Sequence, residues 1–182
     1  MKIFRLDMSA SDPEACYPLL NGEERLRAEA LGANRRRFII SRAFRRQVLG
    51  GDAEILTEPK GRPFVKGNPI FFSMSHSGDI VVMAVDRHPV GIDLELMKER
   101  DFARLSSRFF GQSIPDGHGF YKRWTRYEAG LKLAGLPLFS KAAPEPEYVH
   151  SEAWENHMLS IASNSGIGLP LSVTAVQLGY LM

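Results

Sequence analysis

A helical pattern of apolar and charged positions is the clearest signal in the chain. Between residues 35 and 49 the apolar side chains recur at the spacing of one helix face. They are Ile40, Ala43, Phe44 and Val48, and the side chains opposite them are Arg35, Arg42, Arg45 and Arg46. Arg36 and Arg37 fall near the apolar side, one turn earlier. We therefore predict an amphipathic helix over residues 35–49 that ends at Gly50-Gly51.

Beyond residue 51 the pattern changes to that of short strands. Segments rich in β-branched and aromatic residues predict strands at 54–57, 70–76, 80–85 and 90–96. We expect a first strand at 2–6, closing strands at 148–162 and 171–181, and a hairpin turn at 86–89. Further helices are predicted at 22–31, 102–110 and 120–134, whereas 137–147 is Pro-rich and irregular. A helix followed by several strands thus occurs twice, which predicts an α+β fold of two halves, 1–97 and 98–182.

Composition narrows the class of protein only moderately. The 182 residues are 44% hydrophobic and 24% charged, and the net charge of +2 gives no reason to expect nucleic acid. Cys16 is the single cysteine, so no intramolecular disulfide can form. The N-terminal residues lack the apolar run of an export signal, and no stretch has the length of a transmembrane helix. We expect a cytoplasmic protein with neither nucleic-acid nor membrane partners.

Two carboxylates share one face of the strand predicted at 90–96. Alternate side chains of a strand point to opposite faces, so Gly91, Asp93 and Glu95 point together, away from the apolar side. Carboxylates at positions i and i+2 lie about 6–7 Å apart along a strand, close enough to share one cation. Mg²⁺ is the cation that favours such oxygen ligands together with substrate phosphates. An ordinary half-exposed strand with a polar outer face has the same pattern.

A second candidate pair lies on the helix predicted at 120–134. Trp124, Glu128 and Lys132 are four residues apart and share one helix face. Glu128 offers a third carboxylate for a metal, or a base, and Lys132 offers a charge for a phosphate. A surface ion pair that adds a few tenths of a kcal/mol to the helix is the alternative.

Small polar residues end the strand predicted at 70–76. Ser75, His76 and Ser77, with neighbouring backbone N–H groups, form a candidate anion site. A plain hairpin turn with Gly78 at a special backbone angle explains the same residues. Upstream, Lys60 and Arg62 place two cations on a turn, which is equally compatible with an exposed basic turn.

These segments together resemble the motifs of the 4′-phosphopantetheinyl transferases of the compact, surfactin-synthetase-activating type. The matching segments are 61–63 (GRP), 74–78 (MSHSG), 91–95 (GIDLE), 108–110 (RFF) and 124–132 (WTRYEAGLK), in the order that the family has them. The sequence departs from the family at two places. Tyr127 stands where a lysine usually precedes the glutamate, and the acidic residue that usually follows the RFF segment is absent.

The resemblance implies an activity and a set of site residues. Such enzymes transfer the phosphopantetheine arm of coenzyme A to a serine of an acyl or peptidyl carrier protein. Asp93, Glu95 and Glu128 would hold Mg²⁺. Glu128 would take the proton of the carrier serine, Lys132 would balance phosphate charge, and coenzyme A would contact Arg36, Arg62, Ser75 and His76. The rival interpretations are a degenerate member that binds coenzyme A with little transfer, for which Tyr127 is the support, and a nucleic-acid-binding module.

The resemblance also implies an architecture and partners. The fold would be two similar α+β halves with the active site in the cleft between them, in a monomer. The first half would supply Arg36, Arg62 and His76, and the second would supply Glu128 and Lys132. A basic surface for an acidic carrier helix is offered by Arg100, Arg104, Lys122, Arg123 and Arg126, which a solvated helix face explains equally. We further hypothesise that the Tyr127 hydroxyl keeps a phosphate contact without the lysine charge. The alternative is that Tyr127 packs between the two halves and does not meet substrate.

Overall fold

The computed structural model of the chain describes residues 1–59, 62–67, 70–140, 145–168 and 171–178. Within them lie five α-helices: α1 Pro13–Cys16, α2 Gly22–Glu29, α3 Arg35–Leu49, α4 Phe102–Phe110 and α5 Gly117–Ala134. The strands are β1 Lys2–Asp7, β2 Ile55–Thr57, β3 Pro63–Val65, β4 Ile70–Ser77, β5 Ile80–Asp86, β6 Val90–Leu96, β7 Tyr148–Trp154, β8 His157–Ser163 and β9 Val173–Ala175. None of the described helices combines the length and the apolar character that crossing a bilayer requires.

The strands form two sheets, and the fold is mixed α+β. Six strands form one sheet in the order β2-β3-β4-β5-β1-β9, and three form the other in the order β6-β8-β7. All pairings are antiparallel except that of β1 with β9. The predicted halves 1–97 and 98–182 remain a prediction. The sheets themselves divide the chain differently, because β6 pairs within the second sheet and β9 returns to the first.

Most predicted elements agree with the structure, but the hairpin predicted at 86–89 is wrong. Helix α3 and strand β6 both have the predicted bounds. Strand β5 pairs with β4 and β1, whereas β6 pairs with β8, which is about 70 residues further along the chain. The connecting turn is instead fixed by Asp86, which accepts from the Met1 ammonium group at 2.7 Å and from the His88 N–H at 2.9 Å. A short link between two strands does not determine which strand each one pairs with.

Strand β6 is an edge of the smaller sheet, yet its outer side is covered. Edge strands present unpaired backbone groups, and buried N–H groups need partners. Serines of β4 supply two of them: the Ile92 N–H donates to Ser73 Oγ at 3.1 Å, and the Leu96 N–H donates to Ser77 Oγ at 2.9 Å. The two sheets therefore meet at a seam between β4 and β6 that side-chain hydroxyl groups hold together.

Helix α5 packs on the face of β6 that carries Gly91, Asp93 and Glu95. Its Ala129, Leu133 and the strand residue Ala162 form a small buried cluster there. A Cβ atom at Gly91 would overlap the carbonyl oxygen of Ala129 and lie 2.7 Å from the Leu133 nitrogen. Glycine at position 91 thus allows the helix backbone to approach the strand, which brings α5 side chains within reach of β6 side chains.

We predict that Gly91→Ala lowers the free energy of unfolding by about 3 kcal/mol, because helix backbone must move to admit the methyl group. Gly22→Ala is the control, since a Cβ at Gly22 meets no atom within 4 Å. Urea denaturation of both variants measures the difference. Equal stability of the two variants would mean that α5 does not depend on this close approach.

Candidate active site

Three carboxylates from two elements meet where α5 crosses β6. Asp93 and Glu95 come from the strand and Glu128 comes from the helix, and one oxygen of each lies within 4.8 Å of the others. The strand alternation places Asp93 and Glu95 on the face that α5 covers. The four-residue spacing of the helix turns Glu128 and Lys132 toward that same face. The structure thus brings together four of the site residues that the sequence predicts.

Asp93 is the most deeply buried member of the cluster, with 1% of its surface exposed. Its Oδ1 accepts from Lys132 Nζ at 2.7 Å and from Ser75 Oγ at 2.7 Å. Its Oδ2 is buried and has no hydrogen-bond partner within the described part of the chain. A buried, unpaired carboxylate oxygen beside two further carboxylates is the donor set that a hard cation such as Mg²⁺ takes.

Burial and the neighbouring negative charges raise the pKa values of two members of the cluster, Glu128 and Glu95. Burial and the neighbouring Asp93 and Glu95 raise the pKa of Glu128 to about 7, against the opposing effect of Lys132. Burial and Asp93 also raise the pKa of Glu95, which the hydrogen bond from Ser77 and the charge of Lys132 partly offset. Three carboxylates so arranged repel one another, and Lys132 offsets only part of that repulsion.

A cavity of about 360 Å³ opens beside the cluster, between α3 and β4. Its polar lining includes Arg37, Arg42, Ser75 and His76. Desolvation at the cavity wall and the nearby Arg37 charge lower the pKa of His76, so the imidazole is neutral at pH 7. Ser75 belongs to both places, because it lines the cavity and donates to Asp93. A cationic cavity and an anionic cluster are therefore contiguous.

Two of these cavity residues were not predicted from the sequence. Helical spacing places Arg42 with the arginines opposite the apolar side, and it indicates no role for Arg37. The Arg42 guanidinium lies over the Phe38 ring, 4.9 Å from its centre, and this packing holds it at the cavity. No sequence signal separates these two residues from the other four arginines between positions 35 and 46.

The structure gives two predicted coenzyme A contacts other partners. Arg36 Nη2 donates to the carbonyl oxygens of Met8 and Ser11, the latter at 3.1 Å. Arg62 forms an ion pair with Glu58 at 2.7 Å and donates to the Leu133 carbonyl at the end of α5, also at 2.7 Å. Neither residue lines the cavity beside β4. Their predicted roles are not tested by these contacts, and the neighbouring residues 60 and 61 lie outside the described part of the chain.

Tyr127 also has a partner of its own. Its hydroxyl group donates to the Ser140 carbonyl at 3.4 Å, in the segment that follows α5. Its ring packs on Trp124 with the ring centres 6.1 Å apart. The hypothesis that this hydroxyl contacts a phosphate stays a prediction, and the structure adds a second role in which Tyr127 ties the helix to the following segment.

Comparison with curated proteins decides the family. The 4′-phosphopantetheinyl transferase psf-1 of Bacillus pumilus is 35% identical, over 74% of this chain and 69% of its own length. The chain belongs to the 4′-phosphopantetheinyl transferases. The transferase AcpT of Escherichia coli K12 is 29% identical over 80% of this chain and 83% of its own, and HetI of a Nostoc strain is 30% identical over 71% and 65%. No sequence-family profile matches the chain.

As a member of these transferases, the protein is an enzyme. Its candidate site is formed by segments that resemble the family. The segments 91–95 and 124–132, which carry the resemblance, form the carboxylate cluster. Segment 74–78, which also carries it, lines the cavity together with α3. Of the segment 61–63, Arg62 contacts the end of α5, where it donates to the Leu133 carbonyl oxygen. Segments 74–78, 91–95 and 124–132 thus meet beside the seam between the two sheets.

We predict that the free energy of unfolding of the metal-free phosphopantetheinyl transferase falls as the pH rises, because ionised Glu128 adds a negative charge to the cluster. Folding raises the pKa of Glu128 from about 4.5 to about 7, so stability is lost as the pH rises through this window. In EDTA, Glu128→Gln should therefore raise the free energy of unfolding by about 1–2 kcal/mol near pH 8 and hardly change it near pH 4.5.

Urea denaturation of wild type and variant at both pH values provides the measurement. Glu99→Gln is the matched control, because Glu99 is exposed and lies outside the cluster. A Glu128→Gln effect that is the same at both pH values would contradict the prediction.

Proposed function

We propose that this enzyme transfers the 4′-phosphopantetheine arm of coenzyme A to a serine of an acyl or peptidyl carrier protein, with Mg²⁺, and releases adenosine 3′,5′-bisphosphate. The supporting observation is the contiguity of the cationic cavity and the carboxylate cluster, which Ser75 joins. A pyrophosphate with a further phosphate needs cationic contacts at one end and a metal at its reacting phosphorus. The relatives' names support the general reaction.

The carboxylates divide the chemical tasks between them. Asp93, Glu95 and Glu128 would hold Mg²⁺, which when bound neutralises the charge of the pyrophosphate. The carrier serine oxygen forms a bond to the β-phosphorus of coenzyme A, while the bond from that phosphorus to the bridging oxygen breaks. Glu128 takes the serine proton directly or through water. The electron pair of the broken bond leaves with adenosine 3′,5′-bisphosphate.

Cations on this chain would hold the phosphates of coenzyme A. Arg37, Arg42 and neutral His76 offer donors at the cavity wall. Lys132, which donates to Asp93, offers a further cation at the carboxylate cluster. Ser75 donates its single proton to Asp93 here, so a phosphate contact would require that hydroxyl to turn. Arg36 and Arg62 stay proposed contacts, and each would have to release carbonyl or carboxylate partners to reach the ligand.

The decisive test incubates the enzyme with coenzyme A, Mg²⁺ and a panel of apo carrier proteins, read by intact mass. We expect one carrier to gain the phosphopantetheine mass, and EDTA or Asp93→Asn to abolish the gain. Coenzyme A affinity, measured by calorimetry, should fall about tenfold or more for Arg37→Ala, since phosphate contacts of this kind are charge-assisted. Arg36→Ala, measured beside it, decides whether the predicted contact exists as well.

The degenerate alternative is separated by the same measurements. Tight binding of coenzyme A without transfer to any carrier would identify a binding protein with little transferase activity. Cytoplasmic location and a monomeric state remain proposals, and the buried free thiol of Cys16 is compatible with a reducing compartment.

The carrier would dock on an apolar patch that begins at the site. We define the patch by Phe109, Leu138 and Phe139, which are 38%, 48% and 58% exposed. Phe109 stacks on Phe139 with ring centres 6.0 Å apart, and both rings pack on Trp124, which lies one turn before Glu128. Contiguous exposed apolar side chains are unusual unless a partner covers them.

Basic residues on the two helices that carry Phe109 and Trp124 match an acidic partner. Helices α4 and α5 carry exposed Arg104, Arg108, Lys122, Arg123 and Arg126. None of the five belongs to an ion pair among the residues that the structure describes. A carrier with acidic side chains around an apolar centre complements this surface and delivers its serine beside Glu128.

Phe139→Ala should therefore raise KM for the carrier at least fivefold and leave KM for coenzyme A unchanged, because a buried aromatic anchor contributes on the order of 1–2 kcal/mol or more. Leu26→Ala is the matched control, since Leu26 is 77% exposed on α2, outside the patch. An unchanged carrier KM, or a dimer of wild type that Phe139→Ala dissolves, would assign the patch to something other than the carrier.

A further inference from the structure

Three serines at alternate positions of β4 face β6 across the seam. Ser73 accepts the Ile92 N–H at 3.1 Å, Ser75 donates to Asp93 Oδ1 at 2.7 Å, and Ser77 accepts the Leu96 N–H at 2.9 Å. Alternation on a strand places all three on one face. The row therefore combines two kinds of contact, some to backbone groups that hold the sheets together and some to carboxylates of the site.

Ser77 makes both kinds of contact at once. Besides accepting the Leu96 N–H, its hydroxyl group donates to Glu95 Oε2 at 3.0 Å. A hydroxyl group has one proton to donate and lone pairs to accept with. Because the backbone N–H fixes the accepting side, the proton is directed at the carboxylate. The β4 backbone thereby determines where one oxygen of Glu95 lies.

Glu95 needs such a contact more than Asp93 does. Asp93 is almost fully buried and is held by Lys132 and Ser75 on the same oxygen. Glu95 is only half-buried, and its longer side chain has more rotamer freedom to lose when it is fixed in place. A metal that binds Glu95 must meet this ordering cost unless the side chain is already held.

We propose that Ser77 is a positioning residue of the metal site, which orients the Glu95 carboxylate for the cation through its hydroxyl proton. The proposal rests on the proposed function, because it requires that the three carboxylates bind a metal. It assigns no contact with substrate to Ser77. Loss of a group that orients a metal ligand typically weakens metal binding about 10–100-fold.

The chain contains a matched comparator for this hydroxyl. Ser73 lies on the same strand and face and accepts a β6 backbone N–H in the same way, but no carboxylate contacts it among the described residues. Ser73→Ala and Ser77→Ala each leave one backbone N–H without its acceptor. Only Ser77→Ala also removes a carboxylate contact, so the difference between the two variants isolates the proposed role.

The experiment measures Mn²⁺ affinity by electron paramagnetic resonance of the free ion, with melting temperature in EDTA as the second readout. Wild type, Asp93→Asn, Ser73→Ala, Ser77→Ala and Ser77→Thr are compared. We expect both alanine variants to melt at similar temperatures. Mn²⁺ affinity should fall at least tenfold for Ser77→Ala and less than threefold for Ser73→Ala, within the range seen for groups that support a ligand. Ser77→Thr, which keeps the hydroxyl group, should restore it.

Two other results would each contradict the proposed role of Ser77, but only the second would also contradict the metal site. Equal Mn²⁺ affinity of Ser73→Ala and Ser77→Ala, with wild-type binding that Asp93→Asn abolishes, leaves the metal site intact and makes Ser77 merely structural. Absence of Mn²⁺ binding to wild type, or binding that Asp93→Asn does not affect, refutes the metal site itself and the role of Ser77 with it.

Discussion

The buried carboxylate of Asp93 is the constraint around which the rest of the site is arranged. A charged group in a protein interior is costly unless it is paired and hydrogen-bonded. Lys132 from α5 and Ser75 from β4 share its Oδ1, so one carboxylate connects a helix and both sheets. Its second oxygen is left without such a partner in the described structure. The fold thus satisfies one oxygen of a buried carboxylate and leaves the other able to bind a cation.

This arrangement depends on how closely three backbones approach one another. Gly91 admits α5 against β6, and the serines of β4 take the place of a neighbouring strand along the edge of β6. If β4 carried apolar side chains at these positions, the edge N–H groups of β6 would be buried without acceptors. The same polar row that permits the seam also contacts two carboxylates, so stability and site geometry rest on the same residues.

The surface around the seam has two regions that differ in their side chains. The arginines and His76 of the cavity lie on one side of the carboxylate cluster, and the aromatic patch with its basic surroundings lies beyond Trp124 on α5. A substrate with several phosphates and an acidic protein partner would therefore approach the carboxylates over different surfaces. Tyr127 belongs to the second region, because its hydroxyl group contacts the segment that carries Phe139.

Periodicity alone determined much of this protein. Alternation along 90–96 put Asp93 and Glu95 on one face, the spacing of four put Glu128 and Lys132 on another, and the helix at 35–49 followed from its apolar side. These are local consequences of strand and helix geometry. Sequence could not show that the two faces meet, that β6 pairs with β8 rather than β5, or that Arg37 and Arg42 rather than Arg36 line the cavity. Each of those outcomes depends on which distant segments pack together, because pairing and burial are decided by contacts between residues far apart in the chain, and local patterns carry no record of them.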